Sequence, residues 1–350
     1  MLECLFIKQE GYYNSALFSS DKNVIVGRVY KGKRSYEALM LDEERATAFV
    51  FGTKGDEGLY SVKECNGKYW AVGHSGNNSL LVMYDRERRK VKQYIGPKGI
   101  LWQVDCQLAV GGQKGKRWHL MLLSLDGKKV KIYSHEENIY AYSLVKTEGG
   151  YVVVGRVGKE GNYDGFLLWL NQKQKPTEAL KTNWKENDYL RYVGSRLAVG
   201  RLEVDGDSEG LLVDLESLRA KIYRRQGFDY FRYADKDKVF GEGDDGDGLR
   251  KALFVKNESY RLLGDGFSAI RFYDRGSGVA YGYMYLGGFS HGLRLVMPPV
   301  DGGQKYRVEP LNLAWTQLNL KPKGKGYRLT LQTSKVKKVL YTWENCHTPP

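Results

Sequence analysis

No stretch of this sequence stays apolar for the roughly 18 residues that a membrane-crossing helix needs. Its start, MLECLFIKQEGYY, has no basic lead, no long apolar core and no small-residue cleavage site, so no secretory signal is expected. The default location is therefore the cytoplasm, with a virion or extracellular assembly as the alternative. Helical periodicity is missing throughout, which excludes a bundle. Proline is scarce at 8 residues.

Cysteine is scarce too. Cys4, Cys65, Cys106 and Cys346 lack the C-x-x-C spacing of a zinc site. Four free, half-buried thiols are the favoured reading; disulfides Cys4–Cys346 and Cys65–Cys106 are the alternative. The five histidines, His74, His119, His135, His291 and His347, show no paired ligand spacing. Nucleophile-elbow, phosphate-loop and dinucleotide motifs are missing as well. No catalytic residue is assigned, and a non-enzymatic protein is favoured.

What the chain has is glycine, at 42 residues, and tyrosine, at 26. Together with many β-branched residues they indicate short strands joined by tight turns. An apolar run ending in glycine recurs at Gly27, Gly73, Gly111, Gly155, Gly200, Gly241 and Gly282, at spacings of 38 to 46 residues. Before each glycine lies one strand pattern, as in SALFSS or YLRYV. After it come a loop, a second apolar run such as YEALMLD or GFLLWL, and often a fourth strand such as KKVKIY. Four strands per unit of this length is the signature of a β-propeller blade, whose faces are buried only by stacking on neighbours. The fold class expected is all-β, a propeller of four-stranded antiparallel blades.

The segment YAYSLVKTEGGYVVVGRVGKEGNYDGFLLWLNQ resembles one repeat of bacterial and archaeal propellers of the DGG-yvvaG…D-x-w-l-x-k-l kind. Looser copies run from Gly11 to about Met297. The resemblance implies a propeller and little about activity, since such folds host binding and catalysis alike.

First strands of the blades are expected near residues 14, 59, 101, 140, 189, 229 and 268 of a propeller spanning 1–300. The N-terminal strand 2–8 is expected to complete the last blade and close the ring. Seven blades are preferred over eight, because no eighth anchor glycine follows. Residues 301–350 are read as a C-terminal β extension, or as part of the last blade. Each anchor glycine is read as the end of the second strand, where a turn needs positive φ. Glu37, Asp164, Glu209 and Asp247, near the third strand, are read as turn caps. Arg191, Arg232 and Arg271 sit in first strands among aromatics; stacking between blades is favoured over a ring of cations facing the channel. Asp105 and Asp274 are channel-lining candidates.

The net charge is +14. Loops between the second and third strands are basic in units 1 and 3, with Lys31, Lys33, Arg34 and Lys114, Lys116, Arg117. They are acidic in units 5 and 6, with Glu203, Asp205, Asp207, Glu209 and Glu242, Asp244, Asp245, Asp247. Such a bipolar loop face suits a protein partner or an identical subunit. Asp205, Asp207 and Glu209 are a weak calcium candidate; no other cofactor is expected. Lys321, Lys323, Lys325, Arg328, Lys335, Lys337 and Lys338 make the C-terminal segment the candidate surface for nucleic acid. The first functional expectation is thus a scaffold that binds protein partners or self-assembles, such as a surface or virion component of a hyperthermophile. The alternatives are a carbohydrate-binding or carbohydrate-active propeller and a nucleic-acid accessory protein.

Overall fold

A computed structural model describes residues 2–32, 35–52, 55–264, 266–300, 303–333 and 335–347. It is an all-β, propeller-like structure built of antiparallel sheets. Among the described residues the only helical element is a 3-10 turn, Asp126–Lys128, and no helix is long and apolar enough to cross a membrane.

Unit 1 comprises Tyr12–Asp21, Val24–Lys31, Ser35–Asp42 and Thr47–Phe51. Unit 2 begins with Glu57–Cys65, Lys68–Ser75 and Asn78–Asp85. Its fourth strand is the first half of a long strand, Lys90–Val104, whose second half is the first strand of unit 3, so two sheets join into one. Unit 3 continues with Leu108–Lys114, Trp118–Ser124 and Lys129–Ser134. Unit 4 is Asn138–Thr147, Gly150–Lys159, Asn162–Asn171 and Pro176–Lys181; unit 5 is Asp188–Val193, Leu197–Val204, Asp207–Asp214 and Ala220–Arg224. Unit 6 is Asp229–Asp235, Lys238–Gly243, Lys251–Lys256 and Ser259–Leu263. Unit 7 is Ser268–Asp274, Val279–Leu286 and Phe289–Val296, with Leu2–Ile7 as its fourth strand.

The anchor glycines do not do what the sequence led us to expect. None has positive φ, and each lies inside its second strand, not at a turn. The reason for glycine is a close approach. A Cβ at any of the seven would lie 1.8 to 2.0 Å from a carbonyl oxygen of the neighbouring first strand. That strand is bulged there: the register slips by one opposite each anchor glycine. Phe18, Tyr60, Trp102, Tyr142, Arg191, Arg232 and Arg271 are the bulged residues, left without a pairing partner. A bulge re-aims a side chain and adds local twist, and here it does so at the same place in every unit.

The residue after the bulge links neighbours. Val62, Val104, Leu144 and Val193 donate their N–H groups to Ser19 Oγ, Ser61 Oγ, Gln103 Oε1 and Ser143 Oγ of the preceding unit, at 3.3, 3.1, 3.2 and 3.0 Å. In units 5 to 7 the same position holds Tyr192, Tyr233 and Phe272, whose rings pack at 4.2 and 4.8 Å. Hydrophobic cores fill the spaces between adjacent sheets. One joins Val153 and Phe166 of unit 4 to Leu122 of unit 3, and another joins Leu17 and Ile25 of unit 1 to Leu5 and Tyr281 of unit 7.

The C-terminal segment is a β extension that is not confined to the last unit. It runs backward along the outer edges of the units and adds an outer strand to each. Gln304–Lys305 pairs with unit 6, Arg307–Leu311 with unit 5 and Thr316–Gln317 with unit 4. Lys321–Pro322 and Tyr327–Arg328 pair with unit 3, Thr330–Gln332 with unit 2, Val336–Val339 with unit 1 and Tyr341–Asn345 with Leu2–Ile7. Sequence reading missed this belt because its strands are mostly two to five residues long and largely exposed, so they lack the alternation that marks a strand. Its apolar residues dip inward one at a time: Tyr306, Leu313, Leu318, Leu329 and Val339 are each at least nine-tenths buried.

The favoured reading of four free thiols is also corrected. Cys4 is bonded to Cys346 and Cys65 to Cys106, with Cα atoms 5.1 and 5.6 Å apart. The first bridge fastens the end of the belt to the N-terminal strand, and both of its cysteines are buried. The second ties the hairpin ends of units 2 and 3.

Candidate functional site

The seven bulged side chains line one central cavity of about 200 Å3. Units 1 to 4 contribute the rings of Phe18, Tyr60, Trp102 and Tyr142; units 5 to 7 contribute Arg191, Arg232 and Arg271. The choice between stacked and channel-facing arginines therefore dissolves, because they are both. The Arg191 guanidinium lies 5.3 and 5.0 Å from the Trp102 and Tyr142 ring centres. Arg271 lies 4.7 Å from that of Phe18, and Arg232 lies 4.1 Å from that of Tyr230.

A second tier comes from the residue after each anchor glycine: Arg28, His74, Gly112, Arg156, Arg201, Glu242 and Tyr283. Arg156 lies 4.6 and 4.3 Å from the Tyr140 and Tyr163 ring centres, and Arg28 lies 4.2 Å from that of Tyr36. His74 sits between two hydrogen-bond partners. Its Nδ1–H donates to Gly76 O at 3.0 Å, so Nε2 accepts from the Tyr60 hydroxyl at 2.8 Å. Burial keeps its pKa below the ordinary histidine value.

Charge in this region is not balanced. Arg232 Nη2 donates to Glu242 Oε1 at 3.0 Å and Arg201 Nη2 to Glu203 Oε1 at 2.7 Å. Among the described residues no carboxylate pairs with Arg28, Arg156, Arg191 or Arg271. Burial, reinforced by the positive charges of Arg232 and Arg191, pulls the Arg271 guanidinium down to about 9. Burial lowers Arg191 as well, with Arg232 adding to it. Glu242 goes the other way: burial would raise its pKa, but Arg232, Arg271 and Arg250 together hold the carboxyl below its usual range. Partly buried cations with no carboxylate paired to them are costly, and an anion entering the cavity would relieve that cost.

A second cavity, of about 670 Å3, adjoins the first and shares Arg232 and Arg271 with it. Arg28, Arg250, Glu242, Tyr36 and Tyr283 also line it. Phe267 and Tyr285, exposed and with ring centres 6.3 Å apart, line it as well; a second exposed pair, Tyr13 with Phe289 at 6.0 Å, adjoins the lining residues Asn14 and Ser290 in sequence.

Most residues picked out by sequence lie elsewhere. Lys31 is 3.9 Å from Glu37; Lys33 and Arg34 lie outside the described residues. Lys114 covers the Trp118 ring, Lys116 is exposed, and Arg117 donates to His135 O. Asp244 accepts N–H bonds from Phe228 and Gly246, Asp245 pairs with Arg225, and Asp247 accepts from Leu249. Among the four acids read as turn caps, Asp247 accepts a backbone N–H within its own loop and Glu209 accepts one from Arg225. Glu37 accepts from the Tyr12 hydroxyl, Asp164 pairs with Lys181, and Glu209 is buried. Asp205 and Asp207 are exposed; among the described residues no three acids, histidines or cysteines converge to hold a metal ion. Asp105 and Asp274 do not line the cavity; each caps its own turn.

The C-terminal cations are split by the belt. Lys321, Lys323, Lys325 and Arg328 lie along unit 3, with Lys323 Nζ donating to His119 Nε2 at 2.8 Å, while Lys335, Lys337 and Lys338 lie along unit 1. The aromatic members of the inner ring and the residues after the anchor glycines were missed. A signal existed: each bulged residue follows an apolar residue of the first strand, as in Leu59-Tyr60, Leu101-Trp102 and Leu190-Arg191. Aligning the units on that residue places the aromatics and arginines in one column.

No protein-family model matches the chain. A stretch of 156 residues is 27% identical to an uncharacterized protein of Aquifex aeolicus (strain VF5), covering 41% of this chain and 45% of that relative. The match thus spans less than half of the relative's length.

Proposed function

We propose that the chain is a closed, seven-bladed β-propeller acting as a non-enzymatic binding protein, and that its partners present an anionic group to the axial cavity. Closure is supported by the packing of Tyr12–Asp21 against unit 7, where Ser290 donates its N–H to Asn14 Oδ1 at 2.7 Å and its hydroxyl to Ser15 O at 2.9 Å. The observation that carries the binding reading is that Arg191 and Arg271 line the smaller cavity and Arg28 and Arg271 the larger one, with no carboxylate paired to any of the three among the described residues. Guanidinium groups recognise planar anions through paired donors, and the aromatic half of the ring holds those groups in place. Protein partners remain the first class of ligand, contacting the loop face around the same opening.

Sulfate is the probe. Thermal unfolding is measured in rising sulfate against chloride at matched ionic strength, for the native chain and for Arg191→Met/Arg271→Met. A saturable rise in midpoint that the variant lacks supports the reading, since a ligand bound only by the folded state stabilises it. Equal responses in both proteins overturn it.

A further inference from the structure

Resting on the anion-binding reading above, we propose that the larger cavity, between units 6, 7 and 1, holds a uronic-acid residue of an acidic polysaccharide. Three observations converge there. First, the Arg28 and Arg271 guanidiniums flank a single ring, Phe18, at 5.6 and 4.7 Å from its centre, and neither has a carboxylate partner among the described residues. Both residues line this cavity, so an anion entering it meets their positive charge.

Second, the wall is mixed in a way that suits a hydroxyl-rich monoanion. Glu242 stands in it, with Oε2 3.5 Å from the Tyr283 hydroxyl. A sugar hydroxyl donates to such an acceptor. A phosphate dianion meets the same carboxylate as repulsion at short range. The carboxylate of a uronate carries a single charge and matches the two free guanidiniums.

Third, the mouth is aromatic and open. Tyr13, Phe289, Phe267 and Tyr285 are 53%, 46%, 49% and 46% exposed. Exposed rings placed singly need no explanation, but a paired set beside a cationic cavity marks a binding surface. The C–H faces of neighbouring sugar rings lie on such platforms, so the ligand is a chain whose acidic residue enters the cavity while its neighbours rest on the rim.

The test is calorimetric titration with trigalacturonate, maltotriose and adenosine monophosphate. Trigalacturonate is expected to bind, and neutral maltotriose to bind at least about tenfold more weakly. Phe267→Ala/Tyr285→Ala is expected to weaken trigalacturonate about tenfold while leaving the sulfate response of the protein intact. Arg271→Met is expected to abolish both. In the native protein, a sulfate response without trigalacturonate binding overturns the uronate assignment alone; absence of both responses there overturns the anion-binding reading beneath it. Preference for the nucleotide, or equal affinity for maltotriose, also overturns the uronate assignment.

Discussion

Removing the Cys4–Cys346 bridge is expected to cost more stability than removing Cys65–Cys106, although both close the same kind of bond. The difference lies in what each excludes from the unfolded chain. The first joins residues 342 positions apart, the second residues 41 apart. The chain-entropy relation assigns about 6 kcal/mol to the long loop and about 4 kcal/mol to the short one. The long bridge also anchors the belt, because Cys346 is the last buried residue, among those described, of a segment otherwise held by short strands. Equilibrium urea unfolding of Cys4→Ala/Cys346→Ala and Cys65→Ala/Cys106→Ala measures the two costs. The first variant should also lose amide protection over residues 336–345, beginning with the strand paired to Leu2–Ile7. A first variant as stable as the second, or one that keeps its protection there, would refute the reasoning.

Other consequences are as definite. Gly155→Ala places a Cβ 1.8 Å from Tyr140 O and should destabilise by about 3 kcal/mol or more. Gly149→Ala, with nothing within 4 Å of its Cβ, should stay within about 0.5 kcal/mol in the same assay. Leu313→Ala, which removes a belt residue 1% exposed between units 4 and 5, should cost about 2 to 4 kcal/mol in urea unfolding. Asp188 is raised to about 8 by burial, with the neighbouring Asp164 charge adding to it. Its ionisation therefore opposes folding, so stability should fall as pH rises from about 4 through about 8. Asp188→Asn should flatten that slope in unfolding curves measured across the range.

The architecture was legible because it repeats. Seven glycines at near-constant spacing and four strand patterns per unit left little room for a non-repeat fold. The reason for the glycines was not legible, because a bulge in one strand and a missing Cβ in the next are visible only when the two are paired. The cavity was half legible. Arg191, Arg232 and Arg271 caught attention through their aromatic neighbours, yet Phe18, Tyr60, Trp102 and Tyr142 read as ordinary strand residues. Loop charge does not mark the cavity: Asp244 and Asp247 accept backbone N–H bonds in the loops, and Arg191 and Arg271 line the cavity. The belt was hidden because its energy comes from backbone pairing and isolated buried side chains, neither of which leaves a periodic trace.

The account turns on the unpaired arginines of the two adjoining cavities. Bromide soaked into crystals of the protein and located by anomalous scattering tests this directly. The account predicts the strongest peak between Arg28 and Arg271 or beside Arg191. Peaks confined to surface cations such as Lys321, Lys325 and Lys335, with none in the cavity, would contradict it.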